Sequence, residues 1–186
     1  GLANIFHAYG CLKWKFDLVL TRLGQEVIKR VGDEIRKRSD GEILDQSGGF
    51  KNQEIVAIIM ALSKIRCDDE ELIINLGMLA VSEERASSFS EQELCNVLYG
   101  LTLLMTAVKS PEALRPIFGS LLLEAGSSDR MSNYNSQDVA TLIYCTGALN
   151  QGKQLSVDSR SLLLSLIEEF DMFMDRGSVI RSEEHT

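Results

Sequence analysis

Large apolar side chains recur along this chain in an eleven-residue pattern that appears four times. Its copies are LANIFHAYGCL (2–12), IVAIIMALSKI (55–65), LCNVLYGLTLL (94–104) and VATLIYCTGAL (139–149). Stacked without gaps, positions one, four, five, eight and eleven are almost all large and apolar. That spacing matches one face of a 3.6-residue period, so each copy predicts an amphipathic helix. Position seven is small in every copy (Ala8, Ala61, Gly100, Cys145), and position nine holds Gly10, Ser63, Thr102 and Gly147. Small residues at fixed places let a neighbouring helix approach. A glycine inside a helix costs about 1 kcal/mol relative to alanine, so Gly100 and Gly147 are expected to serve close packing.

The entries to these helices repeat as well. Phe50 precedes Gln53 and Glu54, Phe89 precedes Gln92 and Glu93, and Tyr134 precedes Gln137 and Asp138. Ser90 with Glu93 fits a capping box, and Asn135 with Asp138 is a weaker form of it; Lys51 offers no capping side chain. The aromatic before each cap sits where a hydrophobic staple is expected. Each first helix is followed by a second amphipathic segment, at about 16–31, 69–81, 111–125 and 157–174. Ser110 is expected to cap the third with Pro111 at its first position, Asp68 or Asp69 to cap the second, and Pro116 to kink or shorten the third. The stretches 36–49 and 126–133 are rich in Gly, Ser and Asp and predict loops.

No segment shows strand alternation, so the fold class is all-α. The repeat starts lie 53, 39 and 45 residues apart, giving a unit of about 39 residues with loop inserts. A lone helical hairpin cannot bury its apolar stripe, whereas stacked hairpins share a continuous core. The expectation is an α-solenoid of about four helix-turn-helix repeats over residues 1–176. Its units would be about 1–49, 50–88, 89–133 and 134–176, followed by a polar tail at 177–186.

Composition narrows the classes. The 186 residues are 45% apolar with two prolines, which suits one domain with a sizeable core and excludes a disordered or collagen-like chain. The apolar runs are too short for a membrane span. Cys11, Cys67, Cys95 and Cys145 form no CxxC pair and are expected as reduced, buried thiols. The net charge of −8 divides unevenly: residues 1–40 carry eight cations and five acids (+3), and the remainder eleven and twenty-two (−11). An acidic chain departs from the usual nucleic-acid binder.

The aromatic-x-x-Gln entries (Phe50/Gln53, Phe89/Gln92, Tyr134/Gln137), each followed by a Leu-x-Asn-x-Leu-x-x-Leu type of helix that is clearest at 94–101, resemble the octotricopeptide and heptatricopeptide repeats. They are also similar to the repeats of Fas-activated serine/threonine kinase-like proteins. The resemblance spans about residues 1–175, and its motif is loose. It implies residence in the mitochondrial matrix or a plastid, and work on organellar RNA or within organellar ribosomes. Many such proteins carry a C-terminal RAP domain; these 186 residues leave no room for one, so no nuclease role is carried over.

Positions three, six and ten form a stripe beside the apolar one. Asn4, His7, Asn96, Tyr99, Thr141 and Tyr144 are therefore the candidates for facing RNA bases, because Asn and Thr bond base edges and Tyr or His stacks on a base. The same positions could instead pack on a neighbouring hairpin, as Met60 and Leu103 suggest. Lys13, Lys15, Arg22, Lys29, Arg30, Arg36, Lys37 and Arg38 are the candidates for phosphate contact, or else a solvated face. The lone Trp14 is expected between hairpins. No P-loop, dinucleotide fingerprint or nucleophile elbow is present. The expectation is thus a non-catalytic protein with no cofactor, no metal and no small-molecule substrate. Its foremost role would be a structural subunit of a mitochondrial ribosome that binds rRNA and neighbouring proteins. A freestanding RNA-stability or translation factor, and a protein scaffold without RNA contact, are the alternatives.

Overall fold

The computed structural model describes residues 1–12, 17–39, 49–82, 85–149, 160–161, 164–168 and 172. Among them all regular structure is helical. In chain order the helices are α1 (Leu2–Leu12), α2 (Asp17–Ser39), α3 (Asn52–Lys64), α4 (Glu70–Ala80), α5 (Arg85–Ser88), α6 (Glu91–Met105), α7 (Arg115–Ala125), α8 (Ser128–Met131) and α9 (Ser136–Leu149). A 3-10 turn, Pro111–Leu114, leads into α7.

The four eleven-residue copies become α1 and parts of α3, α6 and α9, and these pack in sequence: α1 on α3, α3 on α6, α6 on α9. The second helices lie beside them, α2 on α4 and α7 against α6, and α4 also touches the 3-10 turn. Their apolar faces merge into one buried cluster that runs from Ala3 to Leu166. The close approaches fall at the small positions. A Cβ on Gly10 would lie 2.9 Å from the Ala61 Cα, and one on Gly100 would lie 2.6 Å from the Ile59 Cγ2. Gly147 departs from its expectation: among the described residues nothing lies within 4 Å of where its Cβ would be.

The helix starts follow their capping chemistry. In α6 the Ser90 Oγ accepts from the Glu93 N–H, and Glu93 accepts from the Ser90 N–H. Asn135 and Asp138 form an equally reciprocal box, with Asn135 accepting from two amides. At α3 the Glu54 carboxylate accepts the Lys51 N–H at 3.1 Å, so that half of a capping box forms although Lys51 offers no capping side chain. Asp69, not Asp68, caps α4 by accepting from the Leu72 N–H. Phe50, Phe89 and Tyr134 are buried, as are Ile55, Leu94 and Val139 five residues on, which places both ends of each staple in the core.

As expected, Pro116 shortens the third segment: it sits in the first turn of α7, so the segment begins as a 3-10 turn and becomes α-helical only at Arg115. Several other expectations are corrected. Ser110 makes no capping bond. Residues 36–39, expected at the start of a loop, continue α2, while 40–48 lie outside the described residues. The stretch 126–133 contains α8, whose Arg130 is buried. Cys67, Cys95 and Cys145 are buried but Cys11 is exposed. Trp14, the tail at 177–186 and most of the fourth second-helix segment lie outside the described residues.

Candidate nucleic-acid interface

The residues at positions three and six lie on α1, α3, α6 and α9 with differing exposure. Asn4 and His7 are exposed on α1, Ala57 and Met60 half-buried on α3, Asn96 and Tyr99 half-buried on α6, and Thr141 half-buried on α9. Tyr144 is 50% exposed. With α6 packed on α9, the two tyrosines come together, with ring centroids 5.9 Å apart and planes tilted by 54°. That separation is within the range of favourable aromatic pairs. It leaves no slot for a base between them; the pair is a platform whose open side is Tyr144. Thr141 donates its hydroxyl to the Gln137 carbonyl at 2.8 Å, so it can only accept from a ligand. His7 lies 3.6 Å from the exposed Cys11 thiol through Nε2. Met60 and Leu103 are half-buried, in keeping with packing.

The phosphate candidates sit elsewhere. Arg22, Lys29, Arg30, Arg36 and Lys37 are exposed on α2, in the second line of helices, and the structure does not gather them around the tyrosines. Arg30 is held by Glu26 at 2.7 Å and Arg36 by Asp33 at 3.0 Å, both exposed pairs one turn apart on α2. Such exposed pairs contribute little to stability and yield readily to another anion. Arg30 keeps the Glu26 carboxyl below the usual carboxylate range through their hydrogen bond. The Arg38 side chain, Lys13 and Lys15 lie outside the described residues.

The glutamines of the repeated entry, Gln53, Gln92 and Gln137, are exposed at their helix starts, while the aromatics three residues before them are buried. What organises those entries is a set of residues that sequence reasoning missed. Glu34 accepts the Phe50 N–H at 3.0 Å and pairs with Arg85, and Arg85 donates to the Phe50 carbonyl at 2.9 Å and to the Asn52 side chain at 3.1 Å. Both polar groups of the Phe50 backbone are thereby satisfied inside the core, where an unpaired group is costly. One unit later Arg130 donates to the Phe89 carbonyl at 2.9 Å and to the Ser87 carbonyl at 2.6 Å, with Glu124 at 2.9 Å. Each arginine stands four residues before the next aromatic, in Arg85-Ala-Ser-Ser-Phe89 and Arg130-Met-Ser-Asn-Tyr134, and that spacing was a readable signal. Tyr134 adds a hydroxyl that donates to the Ala125 carbonyl at the end of α7.

The thiols inside this framework are poor nucleophiles. Burial pushes the Cys95 thiol far above its ordinary value, with the nearby Asp138 carboxylate adding to the shift. Burial raises Cys145 to about 11, an increase that the neighbouring Thr102 side chain partly offsets. The depressions lined by described residues include one of about 130 Å³ beside Arg30, Glu34 and Phe50 and one of about 210 Å³ beside Thr21 and Asp69. Both are smaller than the few hundred Å³ typical of ligand pockets. Among the described residues no group of three or more His, Cys, Asp or Glu is placed to hold a metal ion, and no helix is long and apolar enough to cross a membrane. No protein-family model, curated protein or solved structure matches this chain.

Proposed function

We propose that this chain is a non-catalytic α-solenoid of helical hairpins that binds single-stranded RNA across α1, α3, α6 and α9. Its role would be that of a structural subunit in an organellar RNA–protein assembly, foremost a mitochondrial ribosome. The solenoid is supported by the sequential packing of the first helices, α1 on α3, α3 on α6 and α6 on α9. Small residues mark two of these contacts: Gly10 meets Ala61, and Gly100 meets Ile59 and Met60. The organellar setting rests on the resemblance carried by Phe50/Gln53, Phe89/Gln92 and Tyr134/Gln137.

The observation that carries the RNA reading is the Tyr99–Tyr144 pair, presented at the same position of successive helices with Tyr144 open to solvent. Base stacking on an aromatic contributes about 1–3 kcal/mol per base. Tyr144→Ala should therefore weaken binding of a short single-stranded RNA about tenfold or more, and Tyr99→Ala, whose ring is half covered, should weaken it less. An affinity unchanged in Tyr144→Ala would sink the platform. In organelle lysates the protein should co-migrate with a large ribonucleoprotein on a gradient and shift to a small species after ribonuclease. A ribonuclease-resistant complex would instead favour a second reading, a protein-binding scaffold. That reading draws on the −11 charge of residues 41–186, which repels phosphate.

A further inference from the structure

We propose that the Tyr99–Tyr144 platform is selective for adenine in single-stranded RNA, with Asn96 and Thr141 bonding the adenine edge, and that it rejects uracil. The selectivity rests on the RNA reading of the same residues and adds to it the identity of the base.

The two helices that carry the platform run side by side in one direction. The Cys95 thiol of α6 reaches the Asp138 carbonyl of α9 at 3.9 Å, and seven residues on in both helices the Thr102 side chain neighbours Cys145. Asn96 and Thr141 each stand three residues before their tyrosine. That spacing puts each on its tyrosine's face of the helix, about 4.5 Å further along the axis. Both therefore lie to the same side of the ring pair. Both are half-buried, so each is backed by protein and still open to a ligand.

Their hydrogen-bonding groups differ in kind. The Thr141 hydroxyl proton is committed to the Gln137 carbonyl at 2.8 Å, which leaves lone pairs that only a donor can use. Among the described residues the Asn96 amide has no hydrogen-bond partner, so its NH2 and its carbonyl are both available. A base that fits must offer an acceptor beside a donor for Asn96 and a second N–H for Thr141. Adenine does so. Its ring nitrogen accepts from the Asn96 amide, one N6 proton goes to the Asn96 carbonyl, and the other goes to the Thr141 Oγ1.

The other bases fit less well. Uracil has a single N–H between two carbonyls on its pairing edge, so a base held by Asn96 turns a carbonyl toward the Thr141 lone pairs. Cytosine carries the amine, but its smaller ring stacks on less of Tyr144. Guanine is most often held by Arg or Lys at O6 and N7, whereas Asn is the usual partner of adenine. Neither α6 nor α9 carries a Lys or Arg, and their acids Glu91, Glu93 and Asp138 disfavour a carbonyl-bearing edge. The preceding helix supplies no such pair. Its residues at the matching positions are Ala57 and Met60, and the Met60 Sδ would lie 3.3 Å from a Cβ on Gly100, packed on α6. The platform thus takes one adenine rather than a run of bases.

The test is fluorescence anisotropy with short RNAs: oligouridine, and the same strand with one central adenine, cytosine, guanine or purine, the last lacking the N6 amine. The adenine strand should bind about tenfold more tightly than oligouridine, the discrimination that one bidentate base contact supplies. The purine strand should fall back toward oligouridine. Thr141→Val, which keeps the shape and removes the acceptor, and Asn96→Ala should each weaken the adenine strand several-fold, with helical circular dichroism confirming the fold. Strands that all bind alike, or a guanine or cytosine strand that binds tightest, overturn the base choice; if Tyr144→Ala then still loses binding, the platform itself stands. An adenine preference undiminished in both folded variants also overturns the proposal. No binding by any strand overturns the RNA reading together with it.

Discussion

The two buried arginines hold the same place in their units and do the same job with different counter-ions. Arg85 reaches the Phe50 carbonyl and is neutralised by Glu34, whose carboxylate is itself buried and also holds the Phe50 amide. Arg130 reaches the Phe89 carbonyl and shares two part-exposed acids, Glu124 at 2.9 Å and Glu91 at 3.5 Å. What is common to both is a cation on the carbonyl just before a helix cap; the acid comes from wherever the chain can supply it. The difference lies in solvent. At Phe50 the acid is sealed in, so the loss of either partner strands a charge in the core. At Phe89 water can reach the acids and soften the loss.

The largest effect should come from Arg85→Leu, which leaves Glu34 buried and unpaired and should cost about 3–5 kcal/mol in urea unfolding. Arg130→Leu should cost less, about 2 kcal/mol, since its acids can rehydrate. Equal costs would break the distinction between a sealed and a wet junction. The double variant Glu34→Leu with Arg85→Leu should recover much of the single-variant loss, because no charge is then left alone.

A smaller effect sharpens the same contrast at Gly49. A Cβ there would lie 2.8 Å from the Glu34 carboxyl carbon, so the sealed junction needs the glycine for steric reasons. Gly49→Ala should destabilise by about 1–3 kcal/mol, and combining it with Glu34→Ala should cost less than the sum, a coupling that thermal melts of the four proteins can measure.

The smallest and most local effect concerns alkaline pH. The region around Arg130 holds Cys95 and Tyr134, both pushed upward by burial, and Cys145 lies across α6 with its thiol raised to about 11. An acid whose folded pKa exceeds its unfolded value keeps its proton longer when folded, so the unfolded chain ionises first as pH rises. The contribution of Cys145 is full below about pH 9 and is lost on the way to about pH 11. Stability should fall across that window, and Cys145→Ala should remove part of the slope. A slope unchanged by the substitution would exclude the thiol as its source.

The first helices were legible because their apolar positions follow the helical period and their caps use local chemistry: Ser90 with Glu93, Asn135 with Asp138. The close approach at Gly100 was readable from a glycine placed where helix propensity disfavours it. Gly147 carries the same signal without the contact, since propensity reports only the cost and not the neighbour. The arginines were passed over because charge counting treats Arg85 and Arg130 as surface. Their burial follows from a carbonyl that lies 35 residues from Arg85 and 41 from Arg130. Glu34 carried a faint signal of its own, since it continues the stripe of Leu20, Val27 and Val31 on which only buried residues fall.

At the candidate interface the stripe positions were set by spacing alone, and the sequence brought Tyr99 and Tyr144 to equivalent places. It could not bring the rings together, nor send Arg22, Lys29 and Lys37 to a different line of helices. Those outcomes depend on which hairpin packs on which and in what register. By itself the sequence determined that this chain is helical, where its first helices begin and which face each one buries, because these follow from period and from groups within four residues. Only the tertiary structure decided what meets each face. Burial of a carbonyl, pairing of a charge and exposure of an end are set by neighbours far away in the chain, and no local pattern records them.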